Sequence, residues 1–252
     1  MTQAIDLLNR LVSRQGYTCV REDELGLTAG HHYLRRLFER FSFDFVFDVG
    51  ANNGQYARLL RKEIGFSGHI LSVEPIPDIV RKLIEKARHD PHWTIHEAAL
   101  DSTPGSADFN IMVGHEFSSL MAPSGQFDGK FHGQQKIKET IRVKVETLDD
   151  LFRSQEAAFE FKKPFVKLDT QGTELRVLDA AAYALEKIPA IQLEVSFQVI
   201  YEGAPDISES IRFMADHGFS LSGLFANNRG HFPRLIEMDA VFIKSSLLGE
   251  LS

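Results

Sequence analysis

Residues 43–55 read Phe43-Asp44-Phe45-Val46-Phe47-Asp48-Val49-Gly50-Ala51-Asn52-Asn53-Gly54-Gln55, and this order decides the fold. The run up to Val49 is short, apolar and β-rich, which marks a strand buried on both faces. Gly50 and Gly54 follow, and residues 55–64 then carry helical spacing up to Gly65. Strand, glycine turn and helix in that order make the first half of a βα unit. Gly50 permits a tight turn and close approach of a ligand to the backbone. Asn52 stands where a glycine is expected, and Asn tolerates left-handed backbone better than most residues. Gly54 lets the helix pack near the strand.

The same rhythm extends outward. Residues 69–75 (HILSVEP) form a second strand, 78–90 a helix with Asp78 as N-cap, and 93–100 (WTIHEAAL) a third strand. It resumes at 164–172 (PFVKLDTQG) as a strand, 173–188 as a helix and 190–197 as a strand. A helix opened by Asp206 and closed by Gly218 follows, and residues 219–224 and 237–246 finish as strands. Strands alternating with helices indicate βαβ units and a parallel sheet, an α/β Rossmann-like fold. Residues 101–146 break the rhythm. They are rich in Gly, Ser, Pro and His, and are expected to form irregular loops plus one or two extra strands, one of them the alternating run TIRVKVETL. Upstream, residues 4–14 and 28–41 have helical spacing, with Thr28 as an N-cap. The chain thus divides into an N-terminal helical arm, 1–42, and an α/β domain, 43–252.

Composition narrows the function. The 252 residues suit one α/β domain with a short addition. A net charge of −7 argues against nucleic acid or an anionic membrane as the main partner. The single cysteine, Cys19, rules out an internal disulfide and suggests a reducing compartment. No signal peptide and no bilayer-length apolar run is visible, so a cytoplasmic location is expected. Twenty Phe read as core filler.

The turn at 48–54 is not a phosphate loop. A dinucleotide fold wants G-x-G-x-x-G and a P-loop wants G-x-x-x-x-G-K-[ST]; here the pattern is G-x-N-x-G with no Lys-Ser or Lys-Thr after it. Asp48 would repel a pyrophosphate but suits a cation, and S-adenosylmethionine carries a sulfonium and an ammonium. Glu74 ends the second strand 24 residues after Gly50. An acid about 20 residues beyond the loop is placed to hold ribose hydroxyls. Pro75 and Ile76 follow, placed to border an adenine ring, and Ala99 is a further candidate on the cofactor side.

With these residues in hand, FDVGANNGQ, LSVEPIP and FVKLDTQGTEL resemble the FkbM-type S-adenosylmethionine-dependent methyltransferases, from about Phe43 to Lys244. The stretch Lys167-Leu168-Asp169-Thr170-Gln171-Gly172-Thr173-Glu174 is the most family-specific part, and Asp239-Ala240-Val241-Phe242 also fits. The resemblance implies a seven-stranded sheet with the last strand antiparallel. It also implies O-methylation, commonly of sugar or polyketide hydroxyls.

Candidate cofactor-binding residues are therefore Asp48, Gly50, Ala51, Asn52, Gly54, Glu74, Pro75, Ala99 and Asp169. Candidate catalytic residues are Asp169 and Glu194, each at the carboxyl end of a strand, and His115 in the insert. A buried Lys167–Asp169 pair that merely organises the turn is the competing reading of Asp169, and a salt bridge that of Glu194. Glu174 serves either the next helix dipole or the site. His132, also in the insert, is a further candidate general base, and Ser118-Ser119, Tyr201 and Asn227-Asn228 are further pocket candidates. The ten histidines lack ligand spacing, so no metal is expected. A small or glycan acceptor is the expected partner, and the oligomeric state is open. A nucleotide-cofactor oxidoreductase and a non-catalytic nucleoside-binding module remain the alternatives.

Overall fold

The structure, a computed structural model, describes residues 12, 15–125, 133–198, 200–227, 233 and 235–249. Apart from Val12, the helix expected over 4–14 lies outside the described residues, as do His132 and Asn228. In chain order the strands are β1 (Phe45–Val49), β2 (His69–Val73), β3 (Trp93–His96), β4 (Ala99–Leu100), β5 (Gly105–Met112), β6 (Ile137–Glu146), β7 (Pro164–Leu168), β8 (Ala190–Ser196), β9 (Phe219–Phe225) and β10 (Glu237–Lys244). The helices are α1 (Leu25–Phe41), α2 (Gln55–Leu59, continued by a π-helical turn Leu60–Ile64), α3 (Pro77–Ala87), α4 (Leu148–Ala158), α5 (Glu174–Asp179), α6 (Ala182–Lys187), α7 (Ile207–Asp216) and α8 (Ser245–Leu248).

Seven strands form the main sheet in the order β3-β2-β1-β7-β8-β10-β9. β10 runs antiparallel to both β8 and β9, while β1, β2, β3, β7 and β8 are parallel. Strand order therefore reverses between β1 and β7, and in such sheets ligands bind beyond the carboxyl ends at that switch point. β1, β2 and β7 are buried at every residue, because helices cover both faces. On one face Phe45, Phe47, Val166 and Leu193 pack with Leu151 and Phe152 of α4 and Val177 and Leu178 of α5. On the other, Val46, Phe165 and Val241 pack with Leu34, Leu37 and Phe38 of α1 and Tyr56 and Leu60. The helix of the N-terminal arm thus belongs to the same core as the sheet.

Several boundaries differ from the sequence reading, each for a local reason. α1 starts at Leu25, after a 3₁₀ turn of Glu22–Glu24, so Thr28 lies inside the helix and does not cap it. The acids of that turn suit the positive helix end. α3 is entered through Ile76, with Pro77 first in the helix and Asp78 in the first turn. The expected third strand splits. Trp93–His96 stays in the main sheet, while Ala99–Leu100 pairs with β6. The expected helix over 173–188 breaks at Ala180, because the Asp149 carboxylate accepts the amides of Tyr183 and Ala184 and starts a new helix there. α4 was not anticipated. Thr147 caps it by accepting the Asp150 amide, a T-x-x-D signal present in the sequence. Within the insert the extra strands are two and long. β5 and β6 pair antiparallel and, with β4, make a second sheet over the first.

Candidate functional site

The turn between β1 and α2 is built on left-handed backbone. Gly50 has φ 75° and Asn52 φ 43°, as their residue types suggest. A Cβ on Gly50 would lie 1.8 Å from the carbonyl oxygen of Asp169, so the two strand-end turns touch backbone to backbone. Gly54, also at φ 75°, faces inward: a Cβ there would lie 2.9 Å from Leu83 and 3.0 Å from the Trp93 ring. It is a packing glycine and does not line the cavity described below. Asp48 is wholly buried beneath the turn and also off that wall. Ser72 Oγ donates to its Oδ2, and Lys167 Nζ stands 3.9 Å from its Oδ1. Burial pushes its carboxyl above the usual range, against the pull of Lys167.

A cavity of about 980 Å³ opens beyond the carboxyl ends of β1, β2, β7 and β8. Gly50, Ala51, Asn52, Glu74, Pro75, Ala99 and Asp169 line it, as do Glu194 and His115. Glu74 is buried, and its two oxygens accept the amides of Asn52 (2.9 Å) and Ile76 (3.0 Å). Burial outweighs these bonds and holds its carboxyl at about 7. A carboxylate has about four lone-pair sites, so two remain for a ligand.

The second turn gathers carboxyls. Asp169 keeps 31% of its side chain open, whereas Lys167 keeps 8% and donates to Asp169 Oδ2 at 2.8 Å. Burial raises the Asp169 carboxyl, but Lys167 and the Gln171 amide outweigh it, and Asp169 falls below the usual carboxylate range. Gln171, at φ 57°, donates from Nε2 to both Asp169 Oδ1 and Glu194 Oε2. Its Oε1 lies 2.6 Å from the Tyr201 hydroxyl. Glu194 also accepts from Asn227 Nδ2 at 2.7 Å. Burial and the charge of Asp169 push the Glu194 carboxyl well up. His115 sits exposed on a 3₁₀ turn, His115–Phe117, at the tip of the second sheet.

The structure also brings in residues that the sequence did not single out. Glu237 and Asp239 of β10 line the same cavity, with carboxyls raised by burial to about 8 and about 6. Tyr56 donates to Gln192 Oε1 at 2.8 Å on its floor. Leu27, Gly30, His31 and Leu34 of α1 form another wall. Asp239 stands in the family-like run 239–242, but no local motif gives any of these a place in the site, since the register of β8 and β10 and the packing of α1 assemble them. Glu174 is turned inward: it accepts the amides of Thr170 and Gly172 and closes the turn, and burial raises it to about 7. Ser118 lines the cavity, while Ser119 donates to the Gln171 carbonyl and ties the insert to the Asp169 turn. Among the described residues no group of three His, Cys, Asp or Glu side chains is arranged for a metal ion.

So many raised carboxyls predict an unusual pH response of the protein without ligand. A carboxyl whose folded pKa exceeds its unfolded value binds its proton more tightly when folded. Its contribution is complete below the unfolded pKa and is lost as pH rises through the folded one. For Glu74, with values of 4.5 unfolded and about 7 folded, the arithmetic gives about 3 kcal/mol lost between those pH values. Glu174 adds in the same sense. Denaturant unfolding of the ligand-free protein should therefore show lower stability at pH 8 than at pH 5. Rising stability over that interval would contradict these burials.

An α/β sheet with its cavity at the switch point, a glycine turn and an acid at the end of β2 defines a nucleoside-binding enzyme class. A model of the methyltransferase FkbM domain matches residues 48–221, most of the chain, and the chain belongs to the FkbM methyltransferase family. The methyltransferase FkbM of Methylobacillus flagellatus KT shares the fold, with a TM-score of 0.51 at 15% identity over 79% of this chain. This chain spans 43% of that one. A magnesium protoporphyrin IX methyltransferase of Synechocystis PCC 6803, in a structure with bound SAM, aligns over 97% of this chain and 96% of its own. Its TM-score is 0.43 and its identity 11%. A sequence search of curated proteins found no match. Among the described residues no helix is long and apolar enough to cross a membrane.

Proposed function

We propose that this protein transfers the methyl group of S-adenosylmethionine to a hydroxyl of a sugar, glycan, polyketide or similar small acceptor. The observation that carries the reading is Glu74, buried on the cavity wall, anchored by two amides and facing the turn at Gly50. The residues present fit the donor. Gly50, Ala51 and Asn52 present backbone on the cavity wall, and the ionised Asp169, with Glu74 and Asp239 titrating near neutral pH, suits a cation.

When bound, the donor supplies an electrophilic methyl carbon on an already activated sulfonium. The protein's task is then mainly alignment. Gly50, Ala51 and Asn52 offer backbone, Glu74 accepts ribose hydroxyls, and Pro75, Ile76 and Ala99 border the base. Asp169 takes the proton of the acceptor hydroxyl, with Glu194 orienting that hydroxyl and His115 on the rim. In this reading the chain divides into an N-terminal arm, 1–42, whose helix α1 closes one end of the cavity, and a catalytic domain, 43–252. The charge of −7 and the single cysteine fit a cytoplasmic enzyme with no nucleic-acid partner.

Calorimetric titration with S-adenosylmethionine and, separately, NAD tests the donor. Only the first is expected to bind. Glu74→Ala should weaken donor binding about 10–100-fold, the loss expected for charge-assisted hydrogen bonds of about 1.5–3 kcal/mol. Glu74→Asp should recover little, because the shorter side chain cannot span Asn52, Ile76 and a ligand together. A neutral alanine variant would remove Glu74 from the site. Labelled methyl transfer to fractionated sugars, polyketides, lipids and peptides tests the acceptor class.

A further inference from the structure

Among the described residues Gln135 is the one buried side chain on the cavity wall whose amide nitrogen has no partner. It is 7% exposed, and among the described residues its Nε2 makes no hydrogen bond. It lies in the turn just before β6, at the tip of the second sheet and beside the 3₁₀ turn. The carbonyls of Gln134 and Lys136 accept the amides of Gly114 and Val113. Both of those side chains are exposed, whereas Gln135 between them is buried and lines the cavity. An unpaired buried donor costs about 1–3 kcal/mol, which a ligand oxygen would recover.

The two ends of the second sheet cover different parts of the cavity. Its base, with Phe109, Ile111, Val143 and Val145, packs on Ile76, Ile79 and Ala99, the side of Glu74. Its tip, with Met112 and Phe117, packs on Ile200, Tyr201 and Ile236. Tyr201 OH lies 3.0 Å from the Phe117 carbonyl, and Ser119 Oγ donates to the Gln171 carbonyl at 2.7 Å. The tip is therefore pinned over the turn that holds Asp169 and Glu194. Gln135 belongs to that half of the cavity, away from Glu74.

We infer that Gln135 Nε2 recognises the methyl acceptor, donating a hydrogen bond to a neutral oxygen beside the hydroxyl that reacts. This rests on the reading of the cavity as a methyltransferase site. An N–H can only donate, so the partner is a hydroxyl, ether or carbonyl oxygen. An anionic group is disfavoured there, because the ionised Asp169 lines the same half. The acceptor is accordingly polyoxygenated and uncharged at this point.

Gln135→Met keeps the length of the side chain and removes the N–H. Three measurements on the full chain test it: thermal unfolding, calorimetric titration with S-adenosylhomocysteine, and labelled methyl transfer to a panel of methyl hexosides and 6-deoxyhexosides. Unchanged or raised Tm is expected, since no partner is lost on removing the amide. S-adenosylhomocysteine affinity should stay within about twofold. KM for the best glycoside should rise about tenfold or more with kcat little changed, since a site built to bond an oxygen discriminates through that bond. Loss of several degrees in Tm would show a structural amide and overturn the inference. A tenfold loss of S-adenosylhomocysteine affinity would assign Gln135 to the donor and overturn it as well. Failure of the wild-type protein to methylate any glycoside overturns the glycan reading, a result distinct from the other two.

Discussion

Gly50→Ala is expected to abolish donor binding, weakening it about 100-fold or more, and to remove turnover with it. The added Cβ would sit 1.8 Å from the Asp169 carbonyl oxygen, a backbone atom at the end of β7. Neither turn can retreat freely, because the Asp169 amide donates to the Val49 carbonyl at 3.1 Å and β1 pairs with β7 along its length. The left-handed backbone adds about 1–2 kcal/mol of strain for any residue with a Cβ, and overpacking typically adds about 1–3. The turns that carry the donor-facing backbone and Asp169 must therefore move apart together. Titration with S-adenosylmethionine beside a thermal melt checks this, and a folded variant that binds normally would place the donor elsewhere. From sequence, Gly54→Val looks equivalent. In the fold it is not, because a side chain at Gly54 meets Leu83 and Trp93 under α3 and acts on packing, so donor binding should suffer less.

The contrast between the two glycines shows what is legible in a sequence. Strand, turn and helix at 45–59 are local, so β1, the turn and α2 could be read directly, as could the left-handed Asn52. Glu74 was legible because its distance from the turn is fixed by one βα unit. The seven-stranded order was legible only through the family resemblance. Asp48 shows a limit: an acid next to a glycine turn points to a ligand, but pleating sends this one down toward Ser72. Gln135, Gln192, Glu237 and Asp239 show another. They come from segments far apart in the chain, and no local pattern gives any of them a place in the site. Only the register of β8 and β10 and the crossing of the second sheet bring them to one cavity. α4 was missed although Thr147 and Asp150 carried its capping signal, and the break before α6 depends on Asp149, more than thirty residues upstream.

Asp169→Asn is expected to lower turnover about 10²-fold or more while donor affinity falls far less. The substitution keeps the shape and the Asn oxygen can still accept from Lys167, while the bond from Gln171 Nε2 is given up and Gln171 stays tied to Glu194 and Tyr201. With it goes the negative charge, the part that matters for taking up a proton. In the wild type the Lys167 ammonium and the Gln171 amide outweigh burial and hold Asp169 ionised, ready to accept a proton. Glu194 is shifted the opposite way: burial and the charge of Asp169 push its carboxyl well above the usual range. The two candidates therefore predict different pH profiles. With Asp169 as base, turnover stays level as pH falls from about 8 to about 6, because its carboxylate does not titrate there. With Glu194 as base, turnover falls at a higher pH than with Asp169, because the raised carboxyl takes up its proton earlier as pH falls. A level profile together with a slow Asp169→Asn and a nearly normal Glu194→Gln would fix the assignment. Normal turnover by Asp169→Asn would end it. The search would then pass to Glu194 and to His115, which stands exposed on the wall of the same cavity.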